Sequence, residues 1–228
     1  MEMIAVISHT GTLFNDGPVR RVVETALRAQ ESQGALGLDD ELRRFVRTMC
    51  AADTSRWLFP VASVAALLDH TADLFRSEGA AFFPRAFTER LDKARGGVPG
   101  DEYLRTLAGL IRTVDQEPDA GFSDLPLADW EAAVRFPELF GFGANWIYDG
   151  EYPLLSDSIA AFVDAEHPFC SETFSRLAAD AQSVLVLFPE PAALSANVTR
   201  WIPWASHDAL RQITGRIDDH MRTEHSGS

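Results

Sequence analysis

Apolar residues recur at three- and four-residue spacing along most of this chain, a period that predicts helices. Val22, Val23, Ala26 and Leu27 mark one face of a helix over residues 19–30, with Arg20, Arg21, Glu24 and Arg28 outward. Leu42, Phe45, Val46 and Met49 repeat the pattern in a second helix, capped by Asp39 or Asp40. Val64, Leu67, Leu68, Thr71, Leu74 and Phe75 define a third over residues 61–76. A fourth covers 80–94 and breaks at Pro84; a fifth starts at Asp101 and carries Leu104, Leu107 and Leu110. Further helices are expected over residues 127–134, 159–165 and 210–221, and from Ser171 through Phe174, Leu177 and Ala181.

Two runs depart from this period. Residues 3–7 and 183–188 (SVLVLF) are short, apolar and rich in β-branched side chains, so both read as strands. The expected fold class is therefore α+β, predominantly helical with a small sheet. A helical cap-like layer over residues 19–114 would cover a reduced α/β core. One domain spans 1–228, and Gly96-Gly97-Val98-Pro99-Gly100 marks where it would divide into two lobes.

Phe-Pro occurs at Phe59-Pro60, Phe83-Pro84, Phe136-Pro137 and Phe188-Pro189. Proline suits a first helical turn, where its missing N–H is not needed, so each pair marks a helix start behind an apolar anchor. FPELFGFGAN at 136–145 and FPEPAALSAN at 188–197 share five positions, each followed by Trp-Ile, which hints at an internal duplication.

The first strand runs into Ser8, His9, Thr10, Gly11, Thr12 and Leu13. In that frame the chain resembles the first motif of the haloacid dehalogenase superfamily, an apolar strand followed by Asp-x-Asp-Gly-Thr-Leu. Gly11, Thr12 and Leu13 match; Ser8 and Thr10 stand where the family has its two aspartates. The resemblance implies a helical cap starting near residues 19–48. It does not imply phosphatase activity, because without the first aspartate there is no phosphoryl acceptor and only half of the magnesium-binding pair. Ser8 and His9 are themselves candidates for chemistry at a strand end, although adjacent strand residues face opposite ways.

Composition narrows the partners. The 228 residues are 46% hydrophobic and carry a formal charge of −14. That charge repels phosphate backbones and anionic lipids, so neither nucleic acid nor a membrane surface is expected as a partner. No run approaches the length of a membrane span and no signal-peptide pattern opens the chain, so a cytoplasmic location is expected. Lys93 is the sole lysine, beside Asp92 and near Arg95, a poor setting for Schiff-base chemistry. Cys50 and Cys170 belong to no Cys-x-x-Cys motif. Both read as buried small apolar residues; zinc and iron–sulfur sites, and cofactors generally, are not expected.

The densest chemistry lies at 136–152, FPELFGFGANWIYDGEY. Asn145, Trp146, Tyr148 and Tyr152 could line a substrate pocket, since aromatic faces attract cations. Asp149 or Glu151 would serve there as general base or amine anchor; alternatively, Asp149-Gly150 is an ordinary turn. His70 and Asp73, three apart on one helix beside Asp69, form a minimal acid/base pair or a solvated face. Arg200 and Trp201, with Trp204 and His207, could grip an anionic group, or pack residues 201–204 against a partner protein or second copy. The expected function is a cofactor-independent enzyme acting on a small polar, amine-bearing metabolite by elimination, ring closure or group transfer. The alternative is a non-catalytic accessory subunit.

Overall fold

The structure, a computed structural model, describes residue 14 and residues 17–51, 60–148 and 150–225. Its contacts divide the chain into two compact units, residues 1–120 and 121–228. The turn at 96–100 lies inside the first unit. The candidates Ser8, His9 and Thr10, the family-like motif and the strand expected at 3–7 fall outside the described residues.

The first unit contains α1 (Pro18–Glu31), α2 (Leu38–Cys50), α3 (Val61–Glu78), α4 (Arg85–Ala94) and α5 (Gly100–Val114). The longest pairing is α3 on α5, and α1 packs against α2 and α4. Val22, Leu42, Phe45, Leu68, Leu104 and Ile111 are wholly buried, as the helical period requires. Gly100 lets α5 start directly under Phe75, because a Cβ there would lie 2.7 Å from that ring. Arg105 with Asp73 and Arg112 with Asp69 bridge α5 to α3 at the surface. Such exposed pairs hold helix register more than they add stability.

The second unit contains α6 (Asp129–Arg135), α7 (Pro137–Trp146), α8 (Leu155–Glu166), α9 (Cys170–Leu187), α10 (Pro191–Leu194) and α11 (His207–Glu224). A π-helical turn, Ser195–Thr199, continues from α10. The helix α9 packs on α7, α8 and α11 around Phe142, Phe162, Phe174, Leu177, Val184 and Ile213.

No strand is present among the described residues, which corrects the α+β expectation to an all-helical fold. Residues 183–188, read as a strand, form the last turn and the C-terminal cap of α9. Leu177, Ala181, Val184 and Phe188 fall on one buried stripe at spacings of four, three and four, whereas Val186 is 77% exposed. The β propensity of a six-residue run yields to the packing of an 18-residue helix that includes most of it. No helix among the described residues is long and apolar enough to cross a membrane.

The Phe-Pro rule holds at three pairs; at the fourth, Phe188 caps the end of α9 and Pro191, not Pro189, opens α10. Pro60 and Pro84 immediately precede α3 and α4, and Pro137 opens α7. Pro137 has no N–H, and the next donor, the N–H of Glu138, reaches Asp180 Oδ2 on α9 at 2.9 Å. Asp180 also accepts from Leu139, so it caps α7 from another helix. Burial pushes its carboxyl up to about 6, against the pull of those two backbone donors.

Asn197 is the polar centre of the second unit. It is buried, accepts the Leu127 N–H at 2.9 Å, and donates to the carbonyls of Ala193 and Phe122. The Trp201 indole N–H donates to Leu127 O from the other side.

Replacing Asn197 with Ala removes its three hydrogen bonds and takes the acceptor from the buried Leu127 N–H; it should cost about 1–3 kcal/mol in urea unfolding. Asp180 sets a pH dependence. Its folded pKa lies above its unfolded value, near 3.9. Its contribution is complete below about pH 4 and is lost as pH rises through about 6. Measured against Asp180→Asn, the wild type should lose stability across that window and stay level above it.

Candidate metal centre

Three helix ends meet in the second unit. His167 follows the last residue of α8, Cys170 is the first residue of α9, and His220 and His225 lie at the C-terminal end of α11. Contacts of α11 with both α8 and α9 bring these ends together. The turn from His167 to Cys170 places a ring nitrogen and the thiol on the same side. In α11 the helix stops at Glu224, and His225 turns back with its N–H on Met221 O.

The result is one thiol ringed by three imidazoles. Cys170 Sγ lies 3.2 Å from His225 Nε2, 3.3 Å from His220 Nε2 and 3.8 Å from His167 Nδ1. All four donor atoms fall within 4.8 Å of one another. The ring centroids are 5.2–5.5 Å apart. A tetrahedral ion with metal–sulfur near 2.3 Å and metal–nitrogen near 2.0–2.1 Å would hold sulfur about 3.5 Å from each nitrogen. The three sulfur–nitrogen distances, 3.2, 3.3 and 3.8 Å, bracket that value.

Their surroundings suit metal binding. Cys170 is fully buried, His220 and His225 are half-buried, and His167 is exposed at the edge. Phe174 meets the His220 ring edge-on at 5.4 Å and walls the site on its apolar side. Burial first, and then the neighbouring His225 and His167, lower the pKa of His220, favouring the neutral imidazole that ligates metals. The α9 N-terminus at Cys170 favours an anionic ligand. Four protein donors fill a tetrahedral shell, the arrangement of structural rather than open catalytic zinc sites.

Sequence reasoning missed this cluster and expected no Cys/His group. The signal was present as His167-x2-Cys170 and His220-x4-His225, two short-spaced pairs of ligating residues. Cys50, expected to be buried, is exposed in the first unit. Burial, Asp119 and Asp115, in that order, raise its thiol pKa.

No protein-family model, curated protein or solved structure matches this chain.

The residues singled out from sequence are dispersed. His70 and Asp73 sit exposed in the first unit, with Asp73 paired to Arg105. Asn145 and Tyr148 are exposed at the end of α7, and Asp149 lies outside the described residues. Glu151 is exposed. Trp146 packs edge-on against Phe162 at 5.9 Å, with Tyr152 at 6.4 Å. Arg200 is exposed and stacks over Trp201 at 4.2 Å. Trp201 and Trp204 pack against the core of the second unit. The Trp204 ring lies on Gly143, where a Cβ would come within 2.5 Å of Nε1; the glycine of the FGFG run serves that contact.

Proposed function

We propose that this chain is a metal-binding protein whose second unit holds one zinc-type divalent ion at His167, Cys170, His220 and His225. The observation that carries the reading is the convergence of four ligating atoms within 4.8 Å around a buried thiol. One thiolate and three neutral imidazoles select a borderline ion that accepts tetrahedral geometry, zinc or its cobalt surrogate. They disfavour magnesium and calcium, which require oxygen donors.

The ion's work in this reading is mechanical. It ties the α8–α9 turn to the end of α11, joining residues 50 and 55 positions apart. Such a clip adds its binding free energy to folding, because the unfolded chain holds no preformed site. The cofactor-independent catalyst expected from sequence has less support: its proposed base and acid/base pair lie in different units or outside the described residues.

Protein purified without chelator should carry one zinc per chain by elemental analysis. Cobalt substitution should give the visible bands of a tetrahedral ion and a thiolate-to-metal charge-transfer band. At a free zinc level about a thousandfold above Kd, unfolding should require about 4 kcal/mol more than in the stripped form. Cys170→Ala should abolish the charge-transfer band and the stabilisation, whereas Cys50→Ala should preserve both. Sub-stoichiometric metal with no thiolate band in the wild type refutes the reading.

A further inference from the structure

We propose that the face shared by α1 and α4 in the first unit binds a phosphate group on Arg90, with Arg20, Arg21 and Arg28 around it. The inference does not depend on the metal, which belongs to the other unit. In a chain with 34 acidic residues against 20 lysines and arginines, this face inverts the balance. On α1, Arg20 and Arg21 stand four and three residues before Glu24, and Arg28 four after it, so all four share one side of the helix. Arg90 joins them from α4, which packs on α1. Arg20 Nε donates to Glu24 Oε1 at 2.6 Å, while Arg21 and Arg90 approach the same carboxylate at 3.9 and 3.7 Å.

Arg90 defines the chemistry of the occupant. Its approach to Glu24 is an ion pair without a hydrogen bond, and no other acceptor meets it among the described residues. Its Nη1 is buried and unpaired. The acids of its own helix are engaged elsewhere, Glu89 by Arg85 and Asp92 by Arg95. A guanidinium offers five N–H donors, and buried polar groups are normally paired, so Arg90 calls for an acceptor that the protein does not supply. Its side chain is 30% exposed, so a ligand meets it from solvent. Thr25, one turn along from Arg21, is wholly buried and its hydroxyl is likewise unpaired. Repulsion between guanidiniums shows at Arg21: burial first lowers its pKa, Glu24 raises it, and Arg28 and Arg20 lower it again. A doubly charged phosphate relieves that repulsion and matches the planar donor fork, whereas a cation adds to it.

The test uses inorganic phosphate and phenyl phosphate on the metal-loaded protein, followed by calorimetry and chemical-shift changes. At least one should bind in the millimolar range or more tightly, with shifts in α1 and α4. Arg90→Gln should weaken binding about tenfold or more, the scale of a hydrogen bond to a charged group. Arg90 makes no hydrogen bond within the fold, so that variant should unfold as the wild type does. Arg90→Lys keeps the charge without the fork and should bind about threefold more weakly than the wild type. Arg211→Gln, at an exposed position on α11, should bind as the wild type does. Tighter binding of phosphate assigns the free ion and tighter binding of phenyl phosphate assigns an ester; either supports the site. No binding of either probe at millimolar concentration, shifts confined to the second unit, or unchanged affinity in Arg90→Gln overturns the proposal. Each of these results leaves the zinc stoichiometry of the chain, and the metal reading with it, unaffected.

Discussion

A thiol cannot be ringed by three imidazole nitrogens at little cost unless something joins them. A neutral Cys170 has one S–H to offer one of the three facing ring nitrogens, and its sulfur accepts only weakly from the N–H of another. A thiolate could accept from three rings, but an anion in a fully buried position is expensive without a counter-charge. A divalent ion would resolve both problems, because it would take all four donors as ligands and supply the positive charge. The ends of α8, α9 and α11 share this corner, beside the apolar core that packs the same helices.

The rest of that unit reads as support for the same corner. Phe162 and Phe174 stack in the core within 5.2 Å and fix where α8 and α9 run side by side. Phe174 then continues to the His220 ring. Asp180 and Asn197 hold the opposite part of the unit by polar means: one caps α7, the other ties the Leu127 segment to the π-helical turn. An apolar stripe, the half-buried Asp180, the buried Asn197 and a ligand cluster are separate devices. Each fixes a different pair of elements, so none is redundant in setting the fold.

Much of this was written locally in the chain. Helix periodicity located α1 to α6, α8 and α11 to within a few residues, and Phe136-Pro137 marked the start of α7, because these signals lie inside each element. Residues 183–188 misled for the opposite reason: six residues cannot reveal that Val184 and Phe188 continue a stripe begun at Leu177. The aromatic run at 136–152 was legible as exceptional, but its purpose was not. Gly143 is paired with Trp204, about sixty positions away, and no local pattern announces that contact. The metal cluster was half-legible. Each short pair of ligands is visible, but only packing of α11 against α8 and α9 makes the two pairs one site.

Charge bears on the metal reading without deciding it. A chain with a formal charge of −14 and a single lysine raises the local concentration of cations and lowers that of anions. Acidity by itself would place cations anywhere on the surface, so it selects no site. Selection comes from burial and geometry. At the centre of His167, Cys170, His220 and His225 the donors are soft, and four of them converge on one point, which fits a bare metal ion. The specificity of such a site would then follow from how many donors meet and what surrounds them.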